Sequence, residues 1–100
     1  MILKLPVQSI VYYSFVSELE ENSYQFSIRW NPTEEAWYLD IIGLSTDLTI
    51  RGIKLVFGVD LLEPFGIYEL RSLYLTNSSD YTEPTFTSLG TQHLLLYETK

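Results

Sequence analysis

The sequence contains no cysteine, and that absence removes disulfide bonds, thiolate zinc sites and thiol nucleophiles together. It has one histidine, His93, too few nitrogen ligands for a zinc centre that takes several, so His93 reads as a strand residue. Gly43, Gly52, Gly58, Gly66 and Gly90 each stand alone, leaving no glycine-rich phosphate loop and no nucleophile elbow. No apolar run approaches the roughly 20 residues of a membrane-spanning helix. The longest early run, Ile10 to Tyr13, is too short for the core of a secretory signal, which predicts synthesis in the cytoplasm of the producing cell.

Positive charge is scarce too. Six basic residues face thirteen acidic ones, for a net charge of −7, a balance that repels nucleic acid and anionic membrane surfaces. Lys4, Arg29, Arg51, Lys54, Arg71 and Lys100 are dispersed along the chain, whereas phosphate recognition needs cations converging on one face. The acids are no better placed for chemistry. Glu20/Glu21 and Glu34/Glu35 fall in predicted turns, where carboxylates stay solvated, while acid–base work needs convergent groups with pKa values pushed apart. Asn77, Asp80 and Glu83, with Ser78 and Ser79, gather oxygen donors in one loop, but their spacing matches no EF-hand. The expectation is no catalytic residue, no cofactor and no bound metal.

What the chain does have is alternation. Its 100 residues are the length of one domain, and the reading is a single β domain over residues 1–100. Tyr24, Phe26, Ile28 and Trp30 alternate with Ser23, Gln25, Ser27 and Arg29, which puts every large apolar group on one face of a strand. Asn31 and Pro32 supply turn chemistry. In the next strand Asp40 sets the facing, because an unpaired carboxylate is costly to bury: Trp37, Leu39 and Ile41 point inward, and Tyr38 and Ile42 share the outer face with Asp40. Gly43 and Asp47 bracket the following turn.

From Leu48 to Val59 β-branched and aromatic residues persist, with Gly52 marking a bend or bulge and Ile53, Leu55, Phe57 and Val59 on one face. Ser9 to Leu19 is another extended segment, closed by a hairpin loop at Glu20 to Ser23, with apolar residues on both parities. Asp60 is suited to cap the segment after it, where Pro64 and Gly66 break the pattern around a short helical turn at residues 61–65. Tyr68 to Leu75 is extended again. Thr91 to Glu98 is a last strand whose Leu94-Leu95-Leu96 predicts cover on both faces. The sum is an all-β chain of roughly six to seven strands, a small β-sandwich or a partly open β-barrel. Its expected core is Phe26, Ile28, Trp30, Trp37, Leu39, Ile41, Leu55 and Phe57.

Eight tyrosines, five phenylalanines and two tryptophans exceed what one small core holds. Tyrosine combines an apolar ring with a polar tip and is enriched at interfaces. The predicted contact surface is Tyr38, Ile42 and Val56, together with Tyr81, Phe86 and Leu89 of the polar loop at residues 78–89.

The order of landmarks carries a resemblance. Trp30-Asn31 closes an alternating strand and Trp37-Tyr38-Leu39-Asp40-Ile41 follows. Then come Gly52-Ile53-Lys54-Leu55-Val56, Gly58 and Asp60-Leu61-Leu62, and Leu89-Gly90-Thr91 leads into a strand ending Tyr97-Glu98. This string resembles the baseplate plug proteins of contractile-tailed phages, the type described in cyanophage baseplates. The resemblance implies a small, all-β, non-enzymatic virion protein at the centre of the tail baseplate. It would plug or brace the hub near the end of the tail tube, and touch hub, tube-initiator or spike chains in a symmetric assembly. The residues by themselves keep a second reading open, a free-standing β-sandwich module that binds a peptide or carbohydrate through the loop at 78–89.

Overall fold

Two-residue alternation lays every second side chain on one face of a strand. In the computed structural model, which describes residues 1–77 and 82–99, it gives β1 (Ile2–Lys4), β2 (Tyr12–Leu19), β3 (Asn22–Asn31), β4 (Ala36–Gly43), β5 (Thr49–Lys54), β6 (Ser72–Asn77) and β7 (His93–Glu98). β2 to β5 form a four-stranded antiparallel meander, and β1, β7 and β6 form a three-stranded antiparallel sheet in the order β1-β7-β6. The all-β expectation holds, and of its two alternatives the sandwich is the one realised, with no closed barrel among the described residues.

The turns follow from local chemistry. Glu20 and Glu21 form a two-residue hairpin loop with φ of 51° and 69°, the left-handed geometry whose twist suits a tight hairpin. Glutamate is unfavourable there by roughly 1 kcal/mol or more per residue, and the Glu20 carboxylate is held in place by the Tyr97 hydroxyl, which donates to it at 2.8 Å. At the next turn Asn31 Oδ1 accepts from the Thr33 and Glu34 N–H groups at 3.0 and 3.2 Å, as its side-chain reach suggests.

The expected bulge is present: the β4–β5 register shifts between Leu39 and Ile41, opposite Gly52 with φ of 75°. That extra residue changes the phase of the strand, so Ile50 and Ile53 are both buried. It also shortens the predicted run to Val59. β5 ends at Lys54, Phe57 is only half-buried and Val59 is half exposed. The cause is a change of sheet. Leu55 N–H still donates to the Trp37 carbonyl (2.9 Å), whereas Phe57 already bridges to Leu75 of β6.

One core fills the space between the sheets. Tyr24, Phe26, Ile28, Trp37, Leu39 and Ile41 enter it from the meander, and Leu73, Leu75, Leu95 and Tyr97 from the other sheet, with Leu55 and Leu89 between them. Trp30, expected in this core, is half-buried at its margin. β2 resolves its ambiguous parity by turning Tyr13, Phe15, Ser17 and Leu19 inward and Tyr12 and Val16 outward. β7 is fully buried only on the face of His93, Leu95 and Tyr97; Leu94 and Leu96 remain half-buried, so cover is one-sided. The helical turn is a single 3-10 turn at Glu63–Phe65. Asp60 leads into it, its Oδ1 accepting from the Leu62 and Leu73 N–H groups at 3.1 and 3.2 Å.

Candidate interface on the four-stranded sheet

Register places three rows of side chains across the outer face of the meander. Tyr12, Arg29, Tyr38 and Lys54 form one row, Ser14, Ser27 and Asp40 a second, and Val16, Gln25, Ile42 and Thr49 a third. Tyr38 and Ile42 therefore flank Asp40 on this face, as read from the sequence. Asp40 is tied down from three sides. Arg29 donates to both of its carboxylate oxygens at 3.1 Å, the Gly52 N–H exposed by the bulge donates at 2.8 Å, and Arg51 lies 3.9 Å away. Burial alone would raise the Asp40 carboxyl, but the Gly52 bond, the Arg29 bond and both arginine charges outweigh it and hold the group below the usual carboxylate range.

The same arginine organises Tyr38. Its guanidinium carbon lies 5.6 Å from the Tyr38 ring centroid, within cation–π range, and the Tyr38 hydroxyl donates to the Glu34 carboxylate. A ring fixed at both its face and its tip loses little freedom on contact, and Tyr and Arg are the residue types that dominate interface energetics. Arg29, Arg51 and Lys54, half of the chain's basic residues, converge on this one face. Their spacing in sequence hides that convergence, which only the strand register reveals.

The remaining predicted contact residues go elsewhere. Val56 is half-buried against the core and lines a hollow of about 220 Å³ with Ile53, Val59 and Phe65. Phe86 is half-buried at the end of the sandwich, stacked on Trp37 (5.5 Å, 12°) and edge-on to Trp30 (5.5 Å, 66°). Trp37 Nε1 donates to the Thr85 carbonyl at 3.0 Å, so residues 84–89 dock onto the meander rather than forming a free polar loop. Leu89, expected at a contact surface, is a correction: it is 1% exposed because that docking carries it into the core. Tyr81 lies outside the described residues.

Other candidates resolve into structure. His93 is buried, its Nε2 2.7 Å from the Thr82 carbonyl and its Nδ1 2.9 Å from Ser88 Oγ. A carbonyl only accepts, so Nε2 carries a proton. Glu83 accepts from the Phe57 N–H at 2.8 Å. The tyrosines are largely satisfied within the chain: Tyr24 donates to Glu69 (2.5 Å), Tyr97 to Glu20 and Tyr74 to Glu98 (3.0 Å). Sequence reasoning missed these pairs, and the only available signal was the joint abundance of Tyr and Glu. Among the described residues the aromatic surplus narrows to Tyr12, Tyr68 and, less exposed, Phe65.

A family model described as cyanophage baseplate Pam3 plug gp18 matches residues 2–100. The chain belongs to this family. No curated protein matches the chain. Plug family membership gives a structural role in a phage tail baseplate, in association with other baseplate components, and agrees with the resemblance carried by the landmark residues.

Proposed function

We propose that this plug-family protein closes or braces the central hub near the end of the tail tube, and that it is held there by protein–protein contacts through the outer face of the meander. The observation that carries the reading is Tyr38, locked between Arg29 and Glu34 beside Ile42 on a face that collects three of the six basic residues. Asp40 offsets part of the Arg29 and Arg51 charge on this face. In a chain of net charge −7 the face is still far less acidic than the rest, and it is the one suited to meet an acidic neighbouring baseplate chain. The rest of the surface is strongly acidic and repels DNA, which suits a closure that must let the genome pass.

The test is a Tyr38→Glu, Ile42→Glu double variant. Both side chains are only half-buried, so circular dichroism and the thermal midpoint should change little. Incorporation into particles should fall at least tenfold, because charge enters a desolvated contact. Normal incorporation and infectivity of that variant would dispose of the proposed face.

A further inference from the structure

Four strands end the two sheets: β2 and β5 in one, β1 and β6 in the other. Edge strands present unpaired backbone groups, and soluble proteins guard them by shortness, charge, bulges or cover. Three of these four are guarded. β1 has three residues and ends on Lys4. β5 carries Arg51 and Lys54 and is bent by the bulge opposite β4. β6 is bridged by Phe57 at Leu75. Among the described residues, β2 is neither short, bulged nor covered. It runs for eight residues in unbroken register, and Glu18 is its one charge.

The phase of the β2–β3 ladder follows from one bond, in which the Trp30 N–H donates to the Val11 carbonyl. Bonding and non-bonding positions alternate along an antiparallel pair. Tyr13, Phe15, Ser17 and Leu19 therefore bond β3, while Tyr12, Ser14, Val16 and Glu18 turn their N–H and C=O groups to the open edge. Val11, Tyr12 and Val16 are 58%, 66% and 59% exposed along it. Inside the sandwich, Tyr13 and Phe15 are only half-buried, although Tyr24, Phe26, Ile28, Leu39 and Ile41 of β3 and β4 are completely so. Phe15 stacks on Phe26 (5.2 Å, 9°), and the aromatic row stops at this edge.

We propose that β2 pairs antiparallel with β2 of a second copy of the chain, across a two-fold axis at Phe15, joining two four-stranded sheets into one of eight. The strand is complementary to itself in that register. Tyr12 lies opposite Glu18 of the other copy, the same pairing of side chains that the fold uses internally at Tyr24–Glu69, Tyr97–Glu20 and Tyr74–Glu98. Ser14 lies opposite Val16, so every outward backbone group meets a partner. The two Phe15 rings face each other at a non-hydrogen-bonded position, where side chains approach most closely, and the aromatic row continues across the axis. The two Glu18 carboxylates fall at opposite ends of the pairing, roughly 20 Å apart at about 3.4 Å per residue and beyond a Debye length of ~8 Å. This contact uses an edge and not the Tyr38–Ile42 face, so it stands or falls separately from the baseplate reading.

Sedimentation of the purified full chain tests it. The wild type should sediment as two chains, with the dimer strengthened by salt because each copy carries −7. Val16→Lys should raise the dissociation constant by about tenfold or more with an unchanged circular dichroism spectrum. It lowers the net negative charge, so a merely long-range electrostatic effect would move association the other way. In a chain without cysteine, Phe15→Cys should form an intermolecular disulfide on mild oxidation, and Tyr12→Cys, far from its own counterpart, should not. A wild type that stays a single chain at all salt concentrations, or a Val16→Lys variant that dimerises as well as the wild type, would overturn the proposal. Amide protection at Tyr12, Ser14 and Val16 found only inside particles would overturn it too, by assigning the edge to a strand of another protein.

Discussion

Trp37 has no exposed surface, stacks on Phe86 and donates its indole N–H to Thr85. Trp37→Ala should therefore cost about 3–5 kcal/mol, read as a shift in the urea midpoint. A midpoint within experimental error of the wild type would show that the core does not depend on this ring. Gly90 is constrained in a different way: its φ is 89°, and a Cβ there would collide with the Val7 carbonyl oxygen. Gly90→Ala should destabilise by roughly 1–3 kcal/mol, and an unchanged melting temperature would contradict that geometry. A lowered carboxyl and raised tyrosines act at opposite ends of the pH range. The folded Asp40 carboxyl is held below its ordinary value of 3.8, so its contribution is present above that value and is lost as the pH falls through the lower folded one. Tyr24 is pushed up to about 12 by burial and by the Glu69 carboxylate, so its contribution is complete below pH about 10 and disappears between about 10 and 12. Tyr24→Phe should make the alkaline limb of a stability–pH profile shallower, leaving the share of Tyr97, which burial also pushes up, and leave the acid limb alone. The inward and outward sides of β4 were legible because a carboxylate dictates its own facing. The role of Glu20 was not, because its partner Tyr97 is 77 residues away in sequence.

At the scale of elements, sequence was readable where partners are neighbours. The hairpins of the meander follow from alternation plus turn residues, and even the bulge at Gly52 was visible as a lone glycine in a β-branched run. The second sheet was harder. β1 is three residues long and its partner β7 comes from the other end of the chain, so no local pattern marks it as a strand. Residues 78–89 also read as a polar loop, although in its described part, from Thr82 on, His93 and Ser88, both buried, tie the segment to the start of β7. His93→Ala would leave Ser88 Oγ and the Thr82 carbonyl without that ring and open a void between them. The expected consequence is a loss of about 2–4 kcal/mol and faster amide exchange at residues 85–89 than in β3. Uniform acceleration across the chain would instead mean that the loop and the meander open together.

For the whole molecule, the three-stranded sheet cannot close until the two ends of the chain meet, and Thr99 N–H donates to the Met1 carbonyl where they do (2.9 Å). Closing so long a loop is entropically costly and is ordinarily delayed until local hairpins have formed. Leu3→Ala in β1 should thus speed unfolding with little effect on the refolding rate, whereas Ile28→Val in β3 should slow refolding. The reverse assignment from stopped-flow chevrons would place the nucleus in the other sheet. Trp30 and Trp37, the only two tryptophans, lie 5.2 Å apart in the cluster capped by Phe86. Intrinsic fluorescence is therefore an optical gauge of a single corner. It will redden when the segment around Phe86 lifts away and stay silent to events at β1, so a change of emission on assembly would report which end of the molecule a neighbour has reached.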